Sequence, residues 1–306
     1  MQVVLDVDTG VDDALALILA LRSPELAVKA ITTVAGNAPV EACTRNTLLV
    51  LDLLQAPTTL PVAQGAAQPL LGTPPTAAEV HGADGLGNVS ALYPHSARLL
   101  APVDAAELLL RQIRASAGAL TLIATGPMTN LALAQMRDPQ TFSQLKEIVQ
   151  MGGAVAVPGN VSPVAEFNFY VDPEAAAQVV SSGVPLRLLP LDVTEQLVLL
   201  RDELRKLAQE RDSAVFQFVR ECTVLYFDFH QSTRNINGGY LHDPAAVVAV
   251  IRPQWFTWRR ARLRVETHAG ERGRLRAQWD PDGRAQVAMG VEAERVLGLV
   301  YERLCR

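Results

Sequence analysis

Four aspartates lie within eight residues near the start of the chain, directly after an apolar run. A helix-patterned run, residues 14–21, follows them. The pattern predicts a strand that ends at the acids and a helix that begins there, which is where ligands bind in open α/β sheets. Because carboxylates this close repel one another, we expect a cation between them, and all-oxygen ligation favours calcium or magnesium over zinc. The four acids are Asp6, Asp8, Asp12 and Asp13.

A simpler alternative is that these acids begin a helix. Asp12 and Asp13 would suit the first helical turn, where negative charge is favourable. Capping leaves Asp6 and Asp8 unexplained, so we favour the metal site over capping alone.

Composition narrows the class of protein. The net charge is −5, and the basic stretch 259–264 alternates with apolar residues, which indicates a solvated strand face rather than a nucleic-acid site. Cys43, Cys222 and Cys305 are odd in number and widely spaced, as is typical of reduced thiols in a cytoplasm. We expect a cytoplasmic protein with neither a secretion signal nor a membrane span.

Apolar strand-like runs alternate with helix-like runs through the first two-thirds of the chain. This alternation predicts an α/β fold, an open and mostly parallel central sheet with helices on both faces. The alternating tail, residues 257–287, predicts a small antiparallel C-terminal meander, and no linker divides the single domain expected over residues 1–306. We expect strands at 3–7, 28–34, 120–124, 148–151 and 186–191, and helices at 13–21, 40–54, 105–115, 129–136, 173–181, 197–207, 214–225, 245–251 and 291–304.

Residues 64–102 have little periodicity and suggest a long functional loop.

Polar, glycine-rich sequence follows four of the predicted strands. In a parallel sheet these ends lie along one edge. Each turn alone is explained by ordinary loop chemistry, but together with the aspartates they outline one site. The segments are Ala35-Gly36-Asn37, Thr125 to Asn130, Met151-Gly152-Gly153 and Asp192-Val193-Thr194.

Two later segments add polar groups. Asn160, Glu166 and Asn168 share a stretch without helical periodicity, and such acids and amides suit a polyhydroxylated ligand, although a solvated Asx-turn loop is the alternative. His242-Asp243-Pro244 precedes an apolar helix-like run. Asp243 could be an N-cap with proline at N1, or a second metal-binding acid beside a substrate-facing His242.

These motifs, in this order, closely resemble the inosine–uridine-preferring nucleoside hydrolase family over nearly the full length. They are Asp6 to Asp13, Thr33 to Asn37, His81 to Gly87, Thr125 to Asn130, Gly159 to Asn168 and His242 to Pro244. The resemblance implies an N-glycosyl hydrolase of nucleoside salvage and catabolism that splits ribonucleosides into base and ribose with bound Ca²⁺. It also implies a homodimer or homotetramer.

The resemblance implies a role for each matching residue. The calcium ligands would be Asp8, Asp13, Asp243 and the carbonyl of Thr125, and Asp8 would also be the base that activates water. A second group would hold the ribose, with Met151 beneath the sugar ring; its other members are Asp12, Asn37, Asn160, Glu166 and Asn168. His242 would protonate the departing base and His81 would contact it.

The base pocket and the preferred base are less determined. Phe227, Phe229 and His230 fall where the family has a base-contacting helix, but such a cluster is as often core. His242 favours a pyrimidine-preferring or nonspecific enzyme. Two alternatives remain: a haloacid dehalogenase-type metal-dependent phosphatase, and a non-catalytic nucleoside or calcium binder on the same fold.

Overall fold

The computed structural model describes residues 1–73, 75–210 and 213–305. Over these residues a nine-stranded sheet forms the centre of the molecule, and two short strands pair beside it. The strands are β1 (Gln2–Val7), β2 (Ala27–Thr33), β3 (Val62–Gln64), β4 (Leu120–Ala124), β5 (Glu147–Met151), β6 (Leu186–Leu189), β7 (Val198–Leu200), β8 (Gly238–Tyr240), β9 (Phe256–Val265), β10 (Leu275–Trp279) and β11 (Ala285–Val291).

The order of strands explains where the site forms. The sheet runs β10-β9-β11-β6-β5-β4-β1-β2-β3, and β1 pairs in parallel with both β2 and β4. The chain moves outward from β1 to β2 and β3, then returns to add β4 on the other side. The reversal creates a crevice at the carboxyl ends of β1 and β4, as in other open α/β sheets.

Helices cover both faces of the sheet and build two apolar cores. One core includes residues 11–20, 48–51, 215–227, 245–251 and 296–304, and the other includes residues 106–113, 131–134 and 175–179. The helices are α1 (Val11–Leu21), α2 (Val40–Leu53), α3 (Ala78–His81), α4 (Ala105–Ala115), α5 (Thr129–Arg137), α6 (Pro139–Phe142), α7 (Phe167–Val171), α8 (Pro173–Val180), α9 (Leu191–Thr194), α10 (Arg201–Glu210), α11 (Ala214–Arg234), α12 (His242–Ile251) and α13 (Ala293–Leu304).

The predicted fold class is confirmed. Seven neighbouring strands of the sheet run parallel: β3, β2, β1, β4, β5, β6 and β11. The prediction succeeded because parallel strands that are buried on both faces have continuous apolar sequences. The C-terminal strands are antiparallel as expected, but β9 lies between β10 and β11. Because β11 also pairs in parallel with β6, these strands extend the central sheet.

The prediction of a helix at 197–207 was wrong for its first four residues. Residues 198–200 form β7, which pairs with β8, and only then does α10 begin. Leu197 and Leu199 are buried whereas Leu200 is exposed, so a period of two is present but too short to recognise in an apolar run. The strand predicted at 186–191 ends earlier, at Leu189, because Pro190 caps α9.

Three further differences from the predictions lie near the site. Asn168 is in the short helix α7, which Glu166 caps, instead of in a loop. Asp243 lies in the first turn of α12, whose N-cap is Leu241, so the N-cap interpretation of Asp243 was wrong. Helix α11 continues nine residues past the predicted end, from 225 to Arg234, and stops at Asn235 in a left-handed conformation.

In its described residues, the long connection after β3 has little regular structure, as predicted, apart from α3 and one 3₁₀ turn. The three cysteines are unpaired. In the part of the chain that the structure describes, no helix has the length and apolarity needed to cross a membrane.

Candidate active site

A cavity of about 340 Å³ opens at the crevice above β1 and β4. Ten of the residues predicted for the site line it: Asp12, Asn37, His81, Thr125, Met151, Asn160, Glu166, Asn168, His242 and Asp243. Asp8 and Asp13 are fully buried, and both accept hydrogen bonds from Asn37, which lines the cavity. The structure therefore brings together every residue of the predicted set, from segments as distant as the first and the last third of the chain.

Asp8 sits at the end of β1 in a closely fitted position. Its Oδ2 accepts a 2.8 Å hydrogen bond from the backbone N–H of Asn37, while its buried Oδ1 has no partner among the described residues. Gly36 and Gly126 approach the carboxylate so closely that a Cβ on either would overlap it or press against it. The position of this carboxylate therefore requires glycine at residue 36 and favours it at residue 126.

Asp13 is the most heavily bonded of the acids. Its Oδ2 accepts from the N–H of Gly10 at 2.9 Å and from Nδ2 of Asn37 at 3.0 Å, and its Oδ1 accepts from the hydroxyl of Thr125 at 2.7 Å. The bond to Gly10 is the helix-capping contact, so Asp13 caps α1 as the simpler alternative suggested. Capping and ligand binding are compatible in one carboxylate.

Asp12, Asp13 and Asp243 offer carboxylate oxygens that lie within 4.8 Å of one another. Burial raises the pKa of Asp8 and Asp243 well above the usual value, and burial with the charge of Asp13 raises the pKa of Asp12 to about 8. Among the described residues no lysine or arginine pairs with these acids, and His81, whose Nδ1 lies 4.0 Å from Asp12, is neutral because burial lowers its pKa to about 3. Grouped acids that resist ionisation for lack of positive charge form a site suited to a cation.

Asp6 plays a different part from its neighbours. Its Oδ1 accepts from the hydroxyl of Thr32 at 2.5 Å and from Nδ2 of Asn130 at 2.8 Å, and burial raises its pKa to about 7. Asn130 also bonds to the carbonyl of Thr33 and the N–H of Ala66. Asp6 thus ties β1 to β2 and α5 beneath the site and does not line the cavity.

The segment around α7 contributes anchored polar groups. Glu166 accepts from three backbone N–H groups, those of Gly153, Asn168 and Phe169, and burial raises its pKa to about 6. Asn168 donates from Nδ2 to the carbonyl of Thr125 at 2.6 Å, and it lies 3.6 Å from the sulfur of Met151. The exposed Asn160 accepts from the N–H of Phe167. Each side chain is held in place by backbone groups of the site.

Hydrogen bonds determine the tautomers of two histidines that line the cavity, His81 and His230. The N–H of Val11 donates to Nδ1 of His81, so a neutral His81 carries its proton on Nε2. Nδ1 of His230 lies 2.8 Å from the carbonyl of Tyr226, which only accepts, so His230 carries its proton on Nδ1. His81 therefore presents a donor nitrogen, and a neutral His230 an acceptor nitrogen.

His242 begins α12 and lines the cavity with its ring partly exposed. Its Nδ1 lies 2.8 Å from the hydroxyl of Thr194, and its ring is 5.2 Å from that of Tyr240. Burial lowers the pKa of both His242 and His81 to about 3, so both rings are neutral at neutral pH.

Sequence reasoning missed most of the wall that α11 forms. Tyr226, Phe229, His230, Thr233 and Arg234 line the cavity at spacings of three and four residues, which is one face of a helix. Of the aromatic cluster left open, Phe229 and His230 are pocket residues, whereas Phe227 packs in the core. Extending the 3.6-residue period past residue 225 would have identified this face.

Comparisons with known proteins agree with this geometry. Residues 3–298 match the family described as inosine-uridine preferring nucleoside hydrolase. Uridine nucleosidase 1 of Arabidopsis thaliana is 40% identical over 267 residues, covering 87% of this chain and 78% of that protein. The pyrimidine-specific ribonucleoside hydrolase RihA of Salmonella typhi is 39% identical, covering 87% and 85%.

A solved structure has nearly the same fold. The purine-preferring ribonucleoside hydrolase from Gardnerella vaginalis superposes with a TM-score of 0.94 at 32% identity, over 100% of this chain and 98% of the other. The family match spans the strand-end acids, the α7 segment and the start of α12, which together form the cavity. The chain therefore belongs to the inosine-uridine preferring nucleoside hydrolase family and is an N-glycosyl hydrolase of ribonucleosides.

Proposed function

We propose that this enzyme hydrolyses pyrimidine ribonucleosides, with uridine as the preferred substrate, and that it does so with a bound calcium ion. The observation that carries the proposal is the group of buried acids Asp8, Asp12, Asp13 and Asp243, beside a cavity that His81, His230 and His242 also line. The acidic side suits a ribosyl group, and the histidine side suits a base.

The acids fit a hard divalent cation. Asp8, Asp13, Asp243 and the carbonyl of Thr125 would hold it, an all-oxygen set of the kind calcium prefers. The unpartnered Oδ1 of Asp8 supports this, because a buried carboxylate oxygen without a hydrogen bond is costly unless a ligand meets it. A bound calcium ion would lower the pKa of a water molecule and orient the ribose hydroxyls.

Asp8 is the proposed general base, and the other carboxylates serve the transition state. Breaking the N-glycosidic bond places positive charge on the ribosyl group. Asp8 would take the proton of the attacking water, and its bond to Asn37 would hold the carboxylate in line. Asp12, Asn37, Asn160, Glu166 and Asn168 would hold the ribose, and Met151 would lie beneath the sugar ring. Nearby negative groups stabilise the charge as it develops.

His242 and His81 would assist and contact the base. The resemblance implied that His242 protonates the departing base, but burial lowers the pKa of both rings to about 3. The neutral rings of His242 and His81 would therefore act as hydrogen-bond donors to the departing base. Donors from these two rings and an acceptor from His230 complement the uracil edge, which alternates carbonyl, N–H and carbonyl. The relatives named uridine nucleosidase and pyrimidine-specific hydrolase support the same preference.

The setting of the enzyme is also proposed. Unpaired thiols support a cytoplasmic location, where such an enzyme would act in nucleoside salvage. A homodimer or homotetramer, built from one domain per chain, stays a prediction to be checked by light scattering.

Kinetics with the five common ribonucleosides and a phosphate ester test the function. We expect free ribose from uridine with the highest kcat/KM, lower values for purine nucleosides, and no phosphate release. Preference for a purine nucleoside would overturn the proposed specificity. No ribose from any nucleoside would favour the non-catalytic binder.

A further inference from the structure

Thr194, the last residue of the Asp192-Val193-Thr194 segment, contacts the ring of His242. It is fully buried in α9, and its Oγ1 lies 2.8 Å from Nδ1 of His242. His242 itself lines the cavity. Because Nδ1 is engaged by Thr194, Nε2 is the ring nitrogen that remains for a ligand.

The direction of this hydrogen bond follows from satisfying the hydroxyl. If Nδ1 carried the proton, it would donate to Oγ1, and the hydroxyl hydrogen of Thr194 would need another acceptor. The described residues provide the Thr194 hydroxyl with no second hydrogen bond, and its side chain is closed to solvent. Leaving a buried hydroxyl hydrogen unpaired is costly, whereas donation to a bare Nδ1 satisfies both groups.

We propose that Thr194 is a positioning residue that donates to Nδ1 of His242 and thereby keeps the ring in its Nε2–H tautomer. The role rests on the proposed function, in which His242 assists the departing base. As the C1′–N bond breaks, its electron pair moves onto the base nitrogen, and Nε2–H stabilises that charge by a hydrogen bond. The ring loses no proton, and the departed base takes one from water.

The surrounding backbone holds the two side chains at a constant separation. The N–H of Thr194 bonds to the carbonyl of Pro190 at 3.1 Å, and the N–H of Leu241 bonds to the carbonyl of Leu197 at 2.8 Å. Asp192 accepts from the N–H groups of Val155 and Ala156. The hydroxyl therefore meets Nδ1 in a preformed arrangement, as the groups behind a catalytic histidine usually do.

The arrangement differs from that of the other two cavity histidines. A backbone N–H sets the tautomer of His81, and a backbone carbonyl sets that of His230, so side-chain substitution cannot alter either bond directly. Only His242 depends on a side-chain hydroxyl. A single conservative substitution of Thr194 should therefore change the tautomer of His242.

Substitution of Thr194, combined with NMR, tests the proposal. Thr194→Val removes the hydroxyl at nearly constant volume, Thr194→Ser keeps it, and Thr121→Val removes a buried hydroxyl at the start of β4 as a control. We expect Thr194→Val to lower kcat on uridine by about 10-fold to 100-fold. Activity on 4-nitrophenyl riboside, whose leaving group needs no help, should change little. Thr194→Ser and Thr121→Val should resemble the wild type.

The ¹⁵N shifts of labelled His242 give a readout that does not depend on catalysis. In the wild type we expect protonated Nε2 and bare Nδ1, and in Thr194→Val a mixture of tautomers. Protonated Nδ1 in the wild type would overturn the proposal even if the enzyme hydrolyses uridine. Equal losses on both substrates would also overturn it, because they would indicate a general structural role. If no substrate is hydrolysed at all, the proposed function fails, while the shifts still decide the tautomer.

Discussion

The two ends of the cavity are built in different ways. The acidic end is made by strand termini and the helices that follow them, and its carboxylates are buried and bonded to neighbouring backbone or side-chain groups. The base end is made largely by one face of α11, where Phe229 and Arg234 are more open to solvent. The first end is determined by the sheet, and the second by a single helix.

Under the proposed function, this difference separates the residues of the bond-breaking chemistry from the residues that select the base. The position of Asp8 depends on β1 and on Gly36 and Gly126, so moving its carboxylate would disturb the central sheet. Exchanging a side chain on the exposed face of α11 would alter the cavity without touching the sheet. The base preference can therefore vary on a constant catalytic end, which agrees with a purine-preferring structure and pyrimidine-specific relatives at similar identity.

The largest effect is expected at the acidic end, from Asp8→Asn. It removes the proposed base and weakens a cation ligand together, so kcat should fall by a factor of about 10² to 10⁴ on uridine and on 4-nitrophenyl riboside alike. The exposed Asp202→Asn is the matched control. A purified Asp8→Asn enzyme that keeps a tenth of the wild-type kcat would contradict the assignment.

A substitution that displaces the carboxylate of Asp8 without changing its chemistry should also lower activity. Gly36→Ala places a Cβ against Oδ2 of Asp8, whereas the same substitution at Gly298 meets open space. Displacing the carboxylate by about 1 Å should lower kcat by about 10²-fold on both substrates. Wild-type activity in Gly36→Ala would mean that the acidic end is less rigid than the structure indicates.

The acidic end was also the part that the sequence predicted best. Asp8 and Asp13 follow an apolar strand and precede a helix, so their place at the sheet edge follows from short-range pattern alone. The α7 segment was less predictable, because five helical residues have too little periodicity to distinguish from a loop. Glu166 acts as a cap there, a role that depends on where the helix begins.

At the base end, His242→Ala should separate leaving-group assistance from water activation. We expect kcat on uridine to fall by about 10²-fold, and kcat on 4-nitrophenyl riboside to change little. His95→Ala, at an exposed histidine that does not line the cavity, is the control. Equal losses on the two substrates would move His242 to the ribose or the cation instead.

The smallest effect is expected from Arg234→Gln, which removes the one Lys or Arg among the described lining residues. Loss of a charged hydrogen-bond donor to a base carbonyl should lower kcat/KM for uridine by about 10-fold. The value for 4-nitrophenyl riboside should stay near that of the wild type. Parallel changes on both substrates would show that this face of α11 does not contact the base.

The base end could not be predicted to the same extent, for a physical reason. In the last part of α11, residues 226–234, aromatic side chains lie on both faces: Phe227 packs in the core and Phe229 lines the cavity, so residue type alone does not distinguish the two faces. Thr194 was recognised only as part of a polar turn. Its contact with His242 crosses 48 residues of sequence, and no local pattern encodes such a pair.

The central claim is that the buried acids hold calcium, and elemental analysis of the purified enzyme tests it most directly. Wild type and the Asp202→Asn control should contain about one calcium ion per chain, and Asp13→Asn, which changes a ligand and not the proposed base, should lose it. Chelation should abolish hydrolysis, and added calcium should restore it. A wild-type enzyme that contains zinc, or that keeps its full activity without any metal, would contradict the claim.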